Sequence, residues 1–137
     1  MVAPAQIIEK LRGNVLLSVF SELFDDGASC DVSQLELKDP IFLAETMDMR
    51  IKDGTWCVIG NSEVSESIPE LMYKVWVEPP GEYRIQDVRG NLGPPISPEQ
   101  AGKMMLQKSF SPAAIEAALR GYHNLGPWHQ AFDELTV

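Results

Sequence analysis

Histidine and carboxylate side chains near the end of the sequence are the first candidates for chemistry. His123 and His129 are the only histidines, and Asp133 follows the second at the i, i+4 spacing of one helix face. The gap between the histidines spans an expected helix break at Gly126-Pro127, so it does not give metal-ligand spacing. The pattern therefore indicates helical surface residues, and we expect no metal site and no cofactor.

Other motifs with catalytic associations are incomplete. Residues 60–64 (GNSEV) resemble a nucleophile elbow but lack its closing glycine and a following helix. The acids at Asp25, Asp26 and Asp31 do not have the alternating spacing of a calcium loop. No glycine-rich loop with a lysine is present for phosphate binding. No catalytic residue is assigned, and an enzyme is the less favoured class, although twenty acids leave carboxylate pairs open.

Two predicted helices joined at Phe110-Ser111 have the arrangement of a helix-turn-helix. The second of them offers only Arg120 and His123 as contacts to nucleic acid, and Glu116 would repel phosphate. The pattern favours a packed helical pair over a DNA-reading motif.

Negative charge is concentrated in the first half of the chain. Residues 22–78 contain thirteen acids and four bases, whereas the remaining residues contain seven of each. This argues against direct nucleic-acid binding, because neutralising phosphates requires Lys and Arg. It is compatible with a protein partner that has a basic surface. The alternative interpretation is an acidic surface that maintains solubility.

The composition is that of a soluble globular protein. A chain of 137 residues with 45% apolar residues is long enough for a single domain with its own core. No apolar run approaches the length of a membrane span, and no secretory leader pattern is visible, so we expect a cytoplasmic protein without membrane contact. Cys30 and Cys57 lack metal or redox spacing; two reduced thiols are expected, with one disulfide as the alternative.

The strongest strand signals fall in residues 49–90, for which we predict an antiparallel meander of three or four strands. Residues 71–78 have one apolar strand face and one mixed face, residues 79–81 (PPG) form a turn, and residues 83–88 return. Upstream, Asp53-Gly54 lies between two apolar stretches as a hairpin signal.

Helices are predicted on both sides of the meander. An N-terminal helix over residues 4–24 follows from apolar residues at helical spacing, with a kink or a helix–strand change at Gly13-Asn14 as the alternative. Its wide apolar surface could also form a homo-oligomer seam. Short helices are expected at about 98–109, 112–123 and 128–135, the first with a Ser97 cap. The predicted fold is a single α+β domain over residues 1–137.

These observations favour a non-enzymatic protein-binding module, such as a small acidic inhibitor, an immunity or anti-defence protein, or an assembly accessory. Its predicted binding residues are one aromatic residue and four acids: Trp76, Asp53, Glu63, Glu66 and Glu70. Trp76 shares a strand face with polar residues, which is typical of a binding anchor, although it could instead pack under a helix.

Two alternatives stay open. One is a small enzyme or ligand-binding domain with a pocket between sheet and helices, using Trp56, Tyr73, His123 or His129. The other is a structural subunit of a phage or secretion assembly.

Overall fold

The chain forms a small α+β fold with two sheets and a few short helices, and the computed structural model describes residues 1–137. The strands are β1 (Ala5–Lys10), β2 (Asn14–Val19), β3 (Phe42–Met47), β4 (Met72–Val77), β5 (Glu82–Asp87), β6 (Leu92–Pro95) and β7 (Ser109–Phe110). The α-helices are α1 (Met49–Lys52), α2 (Pro98–Ala101) and α3 (Pro112–Tyr122), and 3-10 helices cover Gly27–Ser29, Val32–Gln34 and Gln130–Leu135.

The chain divides into two compact units, which are described separately below. The first, called the outer unit because it contains both termini, comprises Met1–Pro69 and Ser109–Val137. The second, called the inserted unit, comprises Glu70–Lys108. Each unit contains one of the two sheets.

The outer unit is built on a four-stranded sheet in the order β1-β2-β3-β7. The first three strands are antiparallel, and β7 pairs in parallel with β3. Residues Val15–Phe20 on and after β2 are all buried, so apart from Ser18 the segment is apolar on both faces and does not alternate.

The core of the outer unit lies between the sheet and the helical segments of the C-terminal part. Side chains from β2 and β3 meet α3 and the last 3-10 helix in one buried cluster: Leu17, Val19, Phe42, Ala44, Ile115, Ala118, Phe132 and Leu135. Ala118 and Leu135 are completely buried, so α3 approaches the sheet closely through a small residue. Hydrophobic burial of this set holds the two layers together.

The predicted helix over residues 4–24 is wrong, because these residues form the β1–β2 hairpin. Gly13 has a φ of +77° and makes the turn, with the Leu11 N–H donating to the Asn14 carbonyl at 2.8 Å. A strand that is buried on both faces has no period-two signal, so its apolar residues also fit a helical stripe. The helix on which a homo-oligomer seam is predicted is therefore absent, and association into a homo-oligomer stays a prediction.

The inserted unit contains a three-stranded antiparallel sheet, β4-β5-β6. Trp76 pairs with Tyr83 across β4 and β5, and their rings meet edge to face with centroids 4.9 Å apart. The turn between these strands ends at Gly81, whose φ of +93° requires glycine.

The first part of the predicted meander, residues 49–59, is wrong. Met49–Lys52 is a single turn of helix, and Thr55–Pro69 has no regular secondary structure. Asp53-Gly54 ends this helix instead of making a hairpin: Gly54 has a φ of +81°, and its N–H donates to the Ile51 carbonyl at 3.3 Å. Asp-Gly fits both structures, since each needs a residue with positive φ.

The predicted helix at 98–109 is shorter in the structure. The Ser97–Gln100 capping box is present, but α2 ends at Ala101. Beyond it the Met105 carbonyl accepts a hydrogen bond from the Lys74 N–H at 3.0 Å, so this part of the chain pairs with the edge of β4 instead of continuing the helix. At the C-terminal end, α3 occupies Pro112–Tyr122 where 112–123 is predicted, and residues 130–135 are 3-10 rather than α-helical.

None of these helices has both the length and the apolar character needed to cross a bilayer.

Candidate binding surface

The net charge of the protein is carried entirely by the outer unit. That unit contains fifteen acids and six bases, a net charge of −9, whereas the inserted unit contains five of each. A single sequence window from 22 to 78 obscures this division, because the window crosses from one unit into the other. The fold therefore separates an acidic unit from a neutral one.

The densest acidic stretch runs from residue 22 to residue 39. It contains six carboxylates and one base, and all of the carboxylates are exposed: Glu22, Asp25, Asp26, Asp31, Glu36 and Asp39. The stretch leaves the end of β2, makes two 3-10 turns and returns to β3. These carboxylates therefore lie on a connection between β2 and β3 whose only regular elements are two short 3-10 helices.

Two of these aspartates fix the local chain. The Asp26 carboxylate accepts hydrogen bonds from the Ser29 N–H and hydroxyl, both at 2.9 Å. Asp31 accepts from the Ser33 N–H at 3.0 Å and from its hydroxyl at 2.8 Å. The hydrogen bonds from Ser29 favour the charged form of Asp26 and lower its pKa below the ordinary value.

A half-open groove lies beside this acidic stretch. Its volume is about 220 Å³, and its lining is Pro4, Phe20, Ser21, Glu22, Leu35, Glu36, Leu37, Lys38 and Asp39. Leu35 and Leu37 are half-buried while Glu36 and Lys38 are exposed, so the alternation in the sequence is kept although no strand pairs there. The lining of the groove is more polar than apolar, and it includes three acidic residues and one lysine.

The loop carrying Glu63 and Glu66 is attached to the elements that form this groove. The side-chain amide of Gln6, on β1, donates to the carbonyls of Ser62 and Glu63 at 3.0 and 3.3 Å. The Ser67 hydroxyl donates to the Lys38 carbonyl at 2.8 Å. Both carboxylates are exposed. The structure therefore brings this predicted loop to the same part of the outer unit as the 22–39 stretch.

Asp53 occupies a different position in the outer unit. Its carboxylate accepts a hydrogen bond from the Thr55 N–H at 2.8 Å in the turn that follows α1. Hydrogen bonding to the Thr55 side chain, and then to its N–H, lowers the pKa of Asp53 below its ordinary value. Asp53 is not among the residues that line the groove, and its carboxylate shapes the turn in which it lies.

Glu70 and Trp76 belong to the inserted unit. Glu70 is exposed at the start of that unit. Trp76 is 50% exposed, meets the Tyr83 ring edge to face, and donates from its indole nitrogen to Glu78 at 2.8 Å. The predicted set of five therefore falls into three places: the loop at 61–69, the turn after α1, and the inserted unit.

Trp56, a candidate for a ligand pocket, takes part in a structural cluster of the outer unit. Its indole nitrogen donates to the Glu116 carboxylate at 2.8 Å, and Arg50 pairs with the same oxygen. Burial raises the pKa of Glu116, but the hydrogen bonds from Arg50 and Trp56, with the charges of Arg50 and Arg120, outweigh it and lower the pKa. The cluster ties α1 and the turn after it to α3.

The remaining candidates for a pocket are engaged in packing. Tyr73 is completely buried. The His129 ring meets Phe132 edge to face with centroids 5.2 Å apart, and the His123 ring meets Tyr122 at 5.1 Å. No group of three or more His, Cys, Asp or Glu side chains is arranged to hold a metal ion.

The groove is not predicted from the sequence. The available signals were the run of six acids over residues 22–39 and the alternation of Leu35 and Leu37 with charged residues. What the sequence did not indicate was the contribution of Pro4 and Phe20, which reach the site only through the hairpin.

The chain matches no protein-family model, and no curated protein or solved structure is significantly similar to it.

Proposed function

We propose that this protein is a non-enzymatic protein-binding module whose acidic outer unit covers a basic surface of a partner. The observation that carries the proposal is the segregation of charge, with a net −9 on one unit and zero on the other. A small acidic inhibitor, an immunity or anti-defence protein, or an assembly accessory would use such a surface.

The arrangement of the charges supports this function in physical terms. Eleven of the fifteen acids in the outer unit are exposed, so their field extends into solvent. A field of one sign on one part of a protein attracts an oppositely charged partner, accelerates association and selects against acidic competitors. An acidic surface that only maintained solubility would not need its net charge to be confined to one of the two units.

The proposal is tested by capturing the tagged protein's partners from the lysate of its source cells, with washes at low and high salt. We expect one stoichiometric protein with a basic surface, released by salt because exposed charge pairs are screened. If the tagged protein is recovered alone at both salts, the proposal is wrong.

Two matched variants locate the surface once a partner is in hand. Glu63→Gln with Glu66→Gln removes two charges from the outer unit, and Glu82→Gln with Glu99→Gln removes two from the inserted unit. We expect the first pair of substitutions to weaken binding several-fold and the second to change it by less than about twofold. Equal effects would contradict the assignment to the outer unit.

Glu70 and Trp76 need their own variants, because they lie in the inserted unit. Weaker binding by Glu70→Gln or Trp76→Ala would extend the surface to that unit, and unchanged binding would limit it to the outer unit.

A further inference from the structure

The groove beside residues 35–39 has the size and lining of a receptor for one side chain. Its volume of about 220 Å³ lies below the roughly 300–1,000 Å³ of pockets that bind drug-sized molecules. The groove is also half open rather than enclosed. A single long side chain entering from a partner is a better match to this space than a metabolite.

The lining specifies the chemistry of that side chain. Its larger, polar part includes the acidic residues Glu22, Glu36 and Asp39, and Phe20, Leu35 and Leu37 contribute to a smaller apolar part. Lys38 also lines the groove, so three negative charges outweigh one positive charge. Lysine and arginine have the complementary structure: an aliphatic stem that packs on apolar surface and a cationic head that remains near water.

The walls of the groove are held in place by hydrogen bonds within the outer unit. On one side the Phe20 N–H donates to the Pro4 carbonyl at 3.0 Å, extending the β1–β2 hairpin. On the other side the Lys38 carbonyl accepts from the Ser67 hydroxyl. Because these walls are already ordered before binding, the protein loses less conformational entropy when a partner's side chain enters the groove.

We propose that this groove receives one lysine or arginine side chain of the protein partner, with the stem against Leu35 and Leu37 and the cationic head among Glu22, Glu36 and Asp39. The inference rests on the proposed function and names the place and the chemistry of the contact. Charge complementarity is the argument for the occupant, since the groove has a net negative lining in the unit that carries all of the net charge.

The test uses the full chain and a defined probe. N-acetyl-arginine methylamide is titrated into isotope-labelled protein while the backbone amide NMR signals are followed, with the uncharged N-acetyl-citrulline methylamide as the control ligand. We expect saturable shifts confined to residues 20–22 and 35–39 with the arginine compound and none with the citrulline compound.

Two variants with the same change in charge separate the groove from the general field. Glu22→Gln, Glu36→Gln and Asp39→Asn are combined in the groove variant, and Asp25→Asn, Glu82→Gln and Glu99→Gln in the control variant. We expect the groove variant to bind the arginine compound roughly fivefold more weakly than the wild type does. The control variant should bind it less than about twofold more weakly, from typical energies of exposed charge pairs. Each variant's amide spectrum reports directly whether it is folded.

Two results would overturn the inference. Shifts that spread over the acids of the whole outer unit without saturating would show attraction by the field alone. Saturable shifts at the same carboxylates with calcium chloride, and none with the arginine compound, would make the groove a cation site. Neither result decides the proposed function, because the salt-dependent capture of a partner tests that separately.

Discussion

The hydroxyl of Ser67 donates a 2.8 Å hydrogen bond to the main-chain carbonyl of Lys38, joining two segments that are far apart in sequence. Ser67 lies in the irregular loop that carries Glu63 and Glu66, and Lys38 lies in the wall of the acidic groove. Together with the Gln6 amide on the Ser62 and Glu63 carbonyls, this bond attaches a loop without secondary structure to the hairpin side of the outer unit. The acidic surface is therefore assembled by tertiary contacts.

Replacing Ser67 by Ala should loosen that attachment. The bond is exposed, so we expect a loss of global stability below about 1 kcal/mol but faster amide hydrogen exchange at residues 62–68. Ser65→Ala is the control, because Ser65 contacts Ser67 but not Lys38. Equal acceleration in both variants would show that the Lys38 contact does not hold the loop.

The substitution Gly13→Ala should change the free energy of unfolding in opposite directions in the observed hairpin and in the predicted N-terminal helix. A glycine replaced by Ala inside a helix stabilises it by up to about 1 kcal/mol. In the hairpin Gly13 has a φ of +77°, and Ala there should cost about 1 kcal/mol, although the added methyl group would meet no atom within 4 Å. Urea unfolding measures the difference. Gly13→Asn should cost less, since Asn tolerates this backbone region better than Ala.

Glu116 should stabilise the outer unit in a pH-dependent manner. Its pKa is lowered in the folded protein from an ordinary value of 4.5, so its contribution is complete above that pH and is lost as the pH falls below it. Glu116→Gln should therefore cost about 1 kcal/mol at neutral pH, a modest value because the side chains of Glu116 and Arg50 are 32% and 30% exposed.

Unfolding of the wild type and of Glu116→Gln over a range of pH checks this expectation. The difference between their free energies of unfolding should become smaller as the pH falls. Glu99→Gln, at an exposed position, should have the same free energy of unfolding as the wild type at every pH. A difference that stays constant or widens in acid would mean that Arg50 and Trp56 do not stabilise the charged form.

The reactivity of the Cys30 thiol depends on the negative charge of nearby acidic residues, one of which, Glu22, lines the groove. Burial raises the pKa of Cys30, and the negative charges of Glu22 and Asp31 raise it further. Because the thiolate is the reactive form, Glu22→Gln should accelerate alkylation by iodoacetamide. The measurement uses a Cys57→Ser background, since Cys57 is also a free, exposed thiol. Glu63→Gln is the control, and an equal rate in both variants would show that Glu22 does not act on Cys30.

Some elements are visible in the sequence because their signals are local. The Ser97 capping box is an example: both of its reciprocal hydrogen bonds are present in the structure. Strands β4 and β5 lie where residues 71–78 and 83–88 are predicted to form a strand and its return, and α3 begins at a serine cap followed by proline, as such caps do. In each case neighbouring residues are enough to determine the conformation.

The errors arise where a local pattern fits two structures. Asp53-Gly54 supplies positive φ to a hairpin or to a helix end, and only the contacts of α1 with α3 decide between them. The β2 segment is buried on both faces, so its apolar run carries no strand periodicity. The acids of residues 22–39 are obvious in the sequence, but the groove needs Pro4 and Phe20 from the hairpin, a contact that spacing does not encode.

In the proposed function, the acidic outer unit guides and holds a basic partner. The most direct measurement is the association rate of the captured partner with immobilised protein across a range of salt concentrations, for the wild type and the two matched pairs of substitutions. We predict that association slows steeply with salt, and that Glu63→Gln with Glu66→Gln slows it more than Glu82→Gln with Glu99→Gln. An association rate independent of salt, or equally slowed by both pairs, would contradict this function.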